Sequence, residues 1–254
     1  MKKLIFIVVF LLSLTSYAEK DVDLCHTFCN KIPMGLLNAG EKALAKENYA
    51  EAIKNFKALD AVYPFGPYAK QAALDIIYAY YKNCDTAFAI AAAKRYIHLY
   101  PRDSHVDYAY YMRGIIAFDL KLSWLQELAD ISPAARDVST LQRSFIAFST
   151  LVQVFPHSLY TPDALARMRY IRNLIAQREI TIAEFYMKRH AYMAAANRAS
   201  YVVQHFQGSP QVIKGLIIMI LAYRALDLPK MADSIYYLLQ TNYSNTPELK
   251  HLKT

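Results

Sequence analysis

Two segments of the same design, each closed by a proline, constrain this chain more than any other feature. Residues 35–64 read GLLNAGEKALAKENYAEAIKNFKALDAVYP, two amphipathic helical stretches joined at Glu47-Asn48-Tyr49 and stopped at Pro64. Residues 70–101 repeat the pattern and stop at Pro101, 37 residues further on. One such helix pair is too small to bury its own apolar faces, so pairs written in tandem have to stack on one another. Composition closes the other routes. Six glycines in 254 residues leave few turns for a many-stranded sandwich or barrel, and 55% apolar residues with 21 Tyr and 12 Phe exclude a disordered chain. The expected fold class is all-α.

The spacing resembles the tetratricopeptide repeat, whose period is about 34 residues. Counted back from Pro64, Gly40, Ala52 and Phe56 fall where that repeat needs two small contacts and an aromatic. Small residues let the two helices of a pair approach, and the aromatic fills the groove to the next pair. Tyr80, Ala89 and Pro101 occupy the matching places in the second unit. A third unit opens at Asp107, with Gly114 at its close contact, and resumes at 143–156 after an insertion, 119–140, that holds Trp124, Pro133 and a capping candidate, Asp137. An extra helix is predicted over 161–178, with Pro162 in its first turn. A fourth unit carries Ala183, Tyr186 and Ala195, and a fifth Tyr223, Ala232 and Tyr236. The expectation is a right-handed solenoid of about five helix pairs over 34–244, with units near 34–68, 69–106, 107–156, 179–207 and 211–244 and a frayed tail over 245–254.

The amino terminus reads as an export signal. Lys2 and Lys3 precede an apolar run from Leu4 to Leu14, and small residues at Ser16 and Ala18 suit signal peptidase, so cleavage is expected after Ala18, with 19–33 as a linker. As a helix the run spans about 16 Å, half a bilayer core, which is too short for a transmembrane segment. Three cysteines fit neither a zinc cluster nor a haem attachment. Cys25 and Cys29 can bridge if their segment is not a rigid helix, leaving Cys84 buried and free; the alternative is free thiols. A lipid on Cys25 is not expected, because Leu24 is bulky where a small residue is needed and Glu19, Lys20, Asp21 and Asp23 separate it from the apolar run.

No catalytic signature is present: no His-Glu-x-x-His, Gly-x-Ser-x-Gly, Walker loop or dinucleotide fingerprint. The seven histidines form no metal-ligand pair at i, i+3 or i+4, so neither metal nor cofactor is expected, and the repeats leave no room for an added catalytic domain. The formal charge of +8 is dispersed. Arg167, Arg169, Arg172 and Arg178 point around their helix axis and read as a solvated face, so nucleic acid is not expected as a partner. Most Tyr and Phe at helical spacing are packing. On the first helix of the second unit, however, Gln71, Leu74, Tyr78 and Tyr81 share a face, Lys82 stands at its edge, and Tyr108, Tyr111 and Phe118 would continue it. An aromatic groove with one cation suits an extended peptide or a carboxyl terminus. A solvated inner face without a ligand is the competing reading.

Three strings are more specific: Tyr63-Pro64-Phe65-Gly66-Pro67-Tyr68, then Leu74 to Asn83, then Asp107 to Gly114. With weaker echoes at Arg136-Asp137, Thr161 to Ala164, Ala183 to Tyr186 and Asn197-Arg198, the chain resembles the BamD (ComL/YfiO) family over roughly 35–240. The resemblance implies a non-enzymatic subunit of the machinery that assembles β-barrel proteins into the bacterial outer membrane, sited on the periplasmic face of that membrane. It implies binding to the periplasmic domains of the barrel-forming subunit BamA, to other accessory subunits, and to carboxyl-terminal segments of unfolded barrel proteins. It also implies that Arg198, on the family's Asn-Arg pair with Asn197, contacts BamA; its place after the close-packing run Ala194-Ala195-Ala196 predicts a side chain that projects outward and contributes little to the core. Family members are typically lipoproteins, from which the flanks of Cys25 depart. A periplasmic tetratricopeptide adaptor for cell-wall synthesis or secretion would share the same repeats and is the alternative.

The mature protein is expected to begin at Glu19 without lipid. Intact mass of protein purified from its native envelope checks this, and a diacylglyceryl mass on an amino-terminal Cys25 would overturn it.

Overall fold

The computed structural model describes residues 32–127, 138–244, 247 and 252. The export signal, the linker with Cys25 and Cys29, and Pro133 and Asp137 lie outside the described residues. Among those described there are ten α-helices and no strand: α1 Pro33–Ala45, α2 Tyr49–Val62, α3 Pro67–Lys82, α4 Thr86–Leu99, α5 Val106–Glu127, α6 Ser139–Val154, α7 Thr161–Lys188, α8 Tyr192–His205, α9 Gln211–Ala225 and α10 Pro229–Asn242. The chain is an array of tetratricopeptide-type helix pairs. It divides after Ile116, within α5, into two compact units.

Two devices recur along the chain and account for the repeat. The first is the turn inside a pair. Glu47, Cys84, His190 and Asp227 all take positive φ, between 57° and 64°, just past the end of α1, α3, α7 and α9. In each turn the next residue's N–H reaches back five residues to a carbonyl: Asn48 to Ala43, Asp85 to Tyr80, Ala191 to Tyr186 and Leu228 to Tyr223, at 2.9–3.0 Å. This is the Schellman closure, which satisfies carbonyls that the helix end would otherwise leave unpaired. Glycine is the usual residue at the left-handed position; here four side-chain-bearing residues hold it, each at a cost of order 1–3 kcal/mol met by the packing around it. Cys84 is exposed on such a turn, not buried as the sequence suggested. A left-handed residue at a helix end has its side chain outside the pair's interface.

The second device is an aromatic stop. α2, α4, α6, α8 and α10 are each followed by Tyr63, Tyr100, Phe155, Phe206 and Tyr243, whose N–H still bonds the carbonyl four residues back while φ and ψ leave the helical region. Proline follows three of the five, at 64, 101 and 156, and disfavours helix in the residue before it.

In the first unit α1 packs on α2, α2 on α3, α3 on α4 and α1 on α3. Gly40 makes the α1–α2 contact possible: a Cβ there would lie 2.3 Å from Cε1 of Phe56, which is itself 1% exposed. Ala52 and Ala89 are fully buried, as the repeat requires of its small positions. Asp103, beyond the end of α4, fastens the next turn. Its side chain is 7% exposed and accepts bonds from Lys70 on α3, from the Tyr96 hydroxyl at 2.7 Å and from the His105 N–H at 2.9 Å. Burial alone would raise its pKa, but these donors outweigh burial and hold the carboxyl well below the usual carboxylate range.

In the second unit α6 packs on α7, α7 on α8, α8 on α9, α9 on α10 and α7 on α9. Ala183, Ala195 and Ala232, the small positions of the fourth and fifth repeats, are at most 1% exposed, and the Gly215 backbone lies against Ala199. Three readings of the sequence change here. The extra helix does not end at Arg178: α7 runs unbroken from Thr161 to Lys188, because nothing between Pro162 and Lys188 breaks a helix, so extra helix and first helix of the fourth repeat are one. The first nine residues of the insertion, 119–127, continue α5. The tail is not wholly frayed: Leu252 is 4% exposed among Val212, Leu216, Ile220 and Leu239, and its carbonyl accepts a bond from Arg224 at 2.8 Å. Leu252 thereby covers part of the apolar face of the α9–α10 pair.

Gly40→Ala should destabilise the protein by about 1–3 kcal/mol, since the added Cβ would overlap the Phe56 ring and force the ring or one of the two helices to shift. Urea unfolding followed by helical circular dichroism checks it; an unchanged midpoint would show that α1 and α2 can separate at no loss.

Candidate functional site

The sequence proposes two sites, one on each unit. On the first, α3 carries most of the groove residues. Tyr78 is 38% exposed and stands between two rings, edge-on to Tyr49 at 6.4 Å between centroids and tilted on Tyr81 at 6.4 Å. The Lys82 ammonium lies 5.8 Å from the centroid of the Tyr49 ring, a cation–π position that still leaves the charge in solvent. These four side chains form one aromatic and cationic patch. In the sequence Tyr49 stands at the joint between two helices, 29 residues before Tyr78, and no local spacing links them.

Other proposed groove residues have different roles. Leu74 is 8% exposed and belongs to the core, because its place on α3 turns it toward the neighbouring helices. Gln71 is half-buried and donates through Nε2 to Asp75 Oδ1 at 2.9 Å. Burial pushes the Asp75 carboxyl up to about 6; the Gln71 bond works against that rise and the negative Glu41 adds to it. Tyr108 and Tyr111 are half-buried on α5. Phe118 falls in the second unit and is 6% exposed, packed edge-on to Tyr170 at 5.9 Å with the Arg167 guanidinium 5.0 Å from its ring centroid. It is packing, not an open wall.

The first unit also has a cleft of about 250 Å³ that the sequence did not suggest. Phe56 from α2, Ala72, Ile76 and Tyr80 from α3, and Phe88 from α4 line it. Arg95 and Asp60 close one side with two parallel bonds of 2.7 and 2.9 Å, and Tyr80 stacks on Phe88 at 5.5 Å.

On the second unit Arg198 stands on α8 after the buried Ala195 and Ala196, with Asn197 exposed beside it. The side chain is 48% exposed, yet it does not simply project outward as the sequence suggested. Its Nη1 donates to Oε2 of Glu179 on α7 at 3.0 Å, and the other carboxylate oxygen, Oε1, accepts from Arg178 Nη1 at 3.0 Å. Glu179 is only 5% exposed, so one buried carboxylate holds two guanidinium groups. Arg178 therefore is not a solvated residue, with a side chain only 24% exposed. Arg167 bonds Asp163 at 2.7 Å and Arg172 donates to the Gln207 carbonyl, so of the four arginines read as a solvated face only Arg169 has no such contact given by the structure. Sequence reasoning passed over Glu179, although a lone acidic residue at a core-facing helical position is itself a signal that something pairs with it.

Among the described residues no group of three or more His, Cys, Asp or Glu is placed to hold a metal, and no helix is long and apolar enough to cross a membrane.

The family model YfiO, described as outer membrane lipoprotein, matches residues 30–238. A relative from Neisseria gonorrhoeae, "Outer membrane protein assembly factor BamD", is 38% identical over 208 residues, covering 82% of this chain and 78% of the relative. Relatives of the same name from Pasteurella multocida and Vibrio cholerae are 35% and 34% identical, covering 83% of this chain and 81% and 87% of their own lengths. With one family model spanning the helix pairs from α1 into α10, and relatives of this identity over most of its length, the chain belongs to the YfiO, or BamD, family.

Proposed function

We propose that this chain is a non-enzymatic scaffold and substrate-recognition subunit of the machinery that assembles and inserts β-barrel proteins into the bacterial outer membrane. The family match over 30–238 carries the reading, and relatives named as outer membrane protein assembly factors support it over a cell-wall or secretion adaptor. The chain works at the periplasmic face of the outer membrane. The family's description as a lipoprotein sets a lipid on Cys25 against the unlipidated start at Glu19, and the intact mass separates the two.

Its partner on the second unit is the periplasmic part of BamA, met by Arg198 with Asn197 beside it. A half-exposed guanidinium backed by buried helix is well suited to take a carboxylate through two parallel bonds, which lysine does less well. Met193 and Tyr201, 51% and 44% exposed on the same helix, supply the apolar and aromatic area that interfaces favour. On the first unit, Tyr78, Tyr81 and Lys82, joined by Tyr49, take the carboxyl-terminal segment of an unfolded barrel protein, rings against aromatic side chains and the ammonium toward the terminal carboxylate. Other accessory subunits of the machinery join the same assembly.

Two measurements test this reading. Arg198→Ala should cost about 2–5 kcal/mol in titration against the BamA periplasmic domains. The fold survives this change because Arg178 keeps Glu179 paired, whereas Arg198→Glu would set a second carboxylate beside a buried one and is the wrong variant for a binding test. Undiminished binding removes Arg198 from the interface. For the groove, Lys82→Glu should weaken a carboxylate-ended peptide several-fold, about 1 kcal/mol at a solvated site, and hardly alter its amidated form. Equal binding of both peptides by both proteins leaves the patch as packing alone.

A further inference from the structure

We infer that Glu179 is the positioning residue for the partner-binding arginine: a buried carboxylate on α7 that fixes where the Arg198 guanidinium on α8 stands, so that a partner's carboxylate meets a preset donor. The inference rests on the reading of Arg198 as the contact to BamA and goes beyond it.

The geometry carries it. Glu179 is 5% exposed, and each of its two oxygens accepts one guanidinium at 3.0 Å. A carboxylate this deep in a helix interface is costly to bury unless it is paired, and Arg178 alone would pair it from the adjacent position on the same helix. The second pairing reaches across to α8 and involves only Nη1 of Arg198, leaving Nη2 and Nε of the half-exposed group for a carboxylate outside. Arginine has a long stem with many rotamers, and ordering it at the moment of binding is an entropic loss. Holding one edge of the guanidinium beforehand removes much of that loss. Because the fork is planar, fixing one edge also fixes the direction in which the other edge points.

Removing the charge reverses each of these effects. In Glu179→Gln one oxygen is replaced by an amide NH2, which cannot accept from a guanidinium. Arg198 then loses the anion that holds its Nη1 and, as the more exposed of the two guanidinium groups, moves away.

The test is a mutant cycle read in binding of the BamA periplasmic domains to the full chain, at a temperature where circular dichroism shows every variant folded. Glu179→Gln should weaken binding by about tenfold, within the coupling that residues in contact show. Arg198→Ala should weaken it at least as much, and the double variant no more than Arg198→Ala alone, since Glu179 acts only through Arg198. A purely structural role for Glu179 would lower the melting temperature and leave binding near wild type. If Glu179→Gln does not fold, the pair Glu179→Gln with Arg178→Gln removes the buried anion together with its neighbouring cation, and the same loss of binding is expected. Binding lost in Arg198→Ala but kept in the folded Glu179 variant overturns the positioning role alone. Losses that add in the double variant overturn it as well. Binding unchanged in Arg198→Ala overturns the reading of Arg198, and this inference with it.

Discussion

Close approach between helices, made possible by residues with little or no side chain, is the constraint on which the rest of this protein depends. Gly40 lies where a single Cβ would collide with Phe56, and Ala52 in the same pair and Ala89, Ala195 and Ala232 in other pairs are at most 1% exposed. A pair held that tightly buries one stripe of each helix and leaves the outer stripes to the neighbouring pairs. The apolar character that makes the chain look ordinary in composition is thus consumed between pairs, in several small clusters instead of one central core.

Turn geometry enforces the same arrangement with few glycines. The four left-handed residues at the ends of α1, α3, α7 and α9 are Glu, Cys, His and Asp, none of which prefers that conformation strongly enough to impose it. The two hydrogen bonds of each Schellman closure and the packing of the flanking helices hold them there. The turn therefore follows from the pairing of the helices as much as it causes it. For the same reason four different residue types share one backbone conformation at these positions.

Charged groups inside the array show what surface arginines and lysines can do once one anion is buried. Asp103 gathers Lys70, Tyr96 and the His105 N–H and thereby secures a turn between pairs. Glu179 gathers Arg178 and Arg198 and thereby ties α7 to α8 through a half-exposed side chain. In both cases the anion's position is dictated by backbone packing and the cations come to it, because an unpaired buried carboxylate would be far more costly than the order imposed on two long side chains.

Local sequence determined the helices, their pairing and most of the repeat register. Those features depend on spacing within about forty residues: apolar stripes at three and four, small residues one pair apart, and an aromatic followed by proline at the helix end. The family resemblance too rests on contiguous strings, such as Tyr63 to Tyr68. Tertiary structure alone decided what each polar or aromatic side chain faces. Tyr49 meets Tyr78 and Lys82, Leu74 and Phe118 turn inward, Leu252 returns to cover α9 and α10, and Glu179 reaches Arg198 across two helices. The reason is geometrical: a periodic pattern specifies which face of a helix is apolar to within about one residue, roughly 100° of arc. Whether a residue at the edge of that face is buried, paired or free depends on the angle at which the next helix crosses, and no sequence window contains that angle.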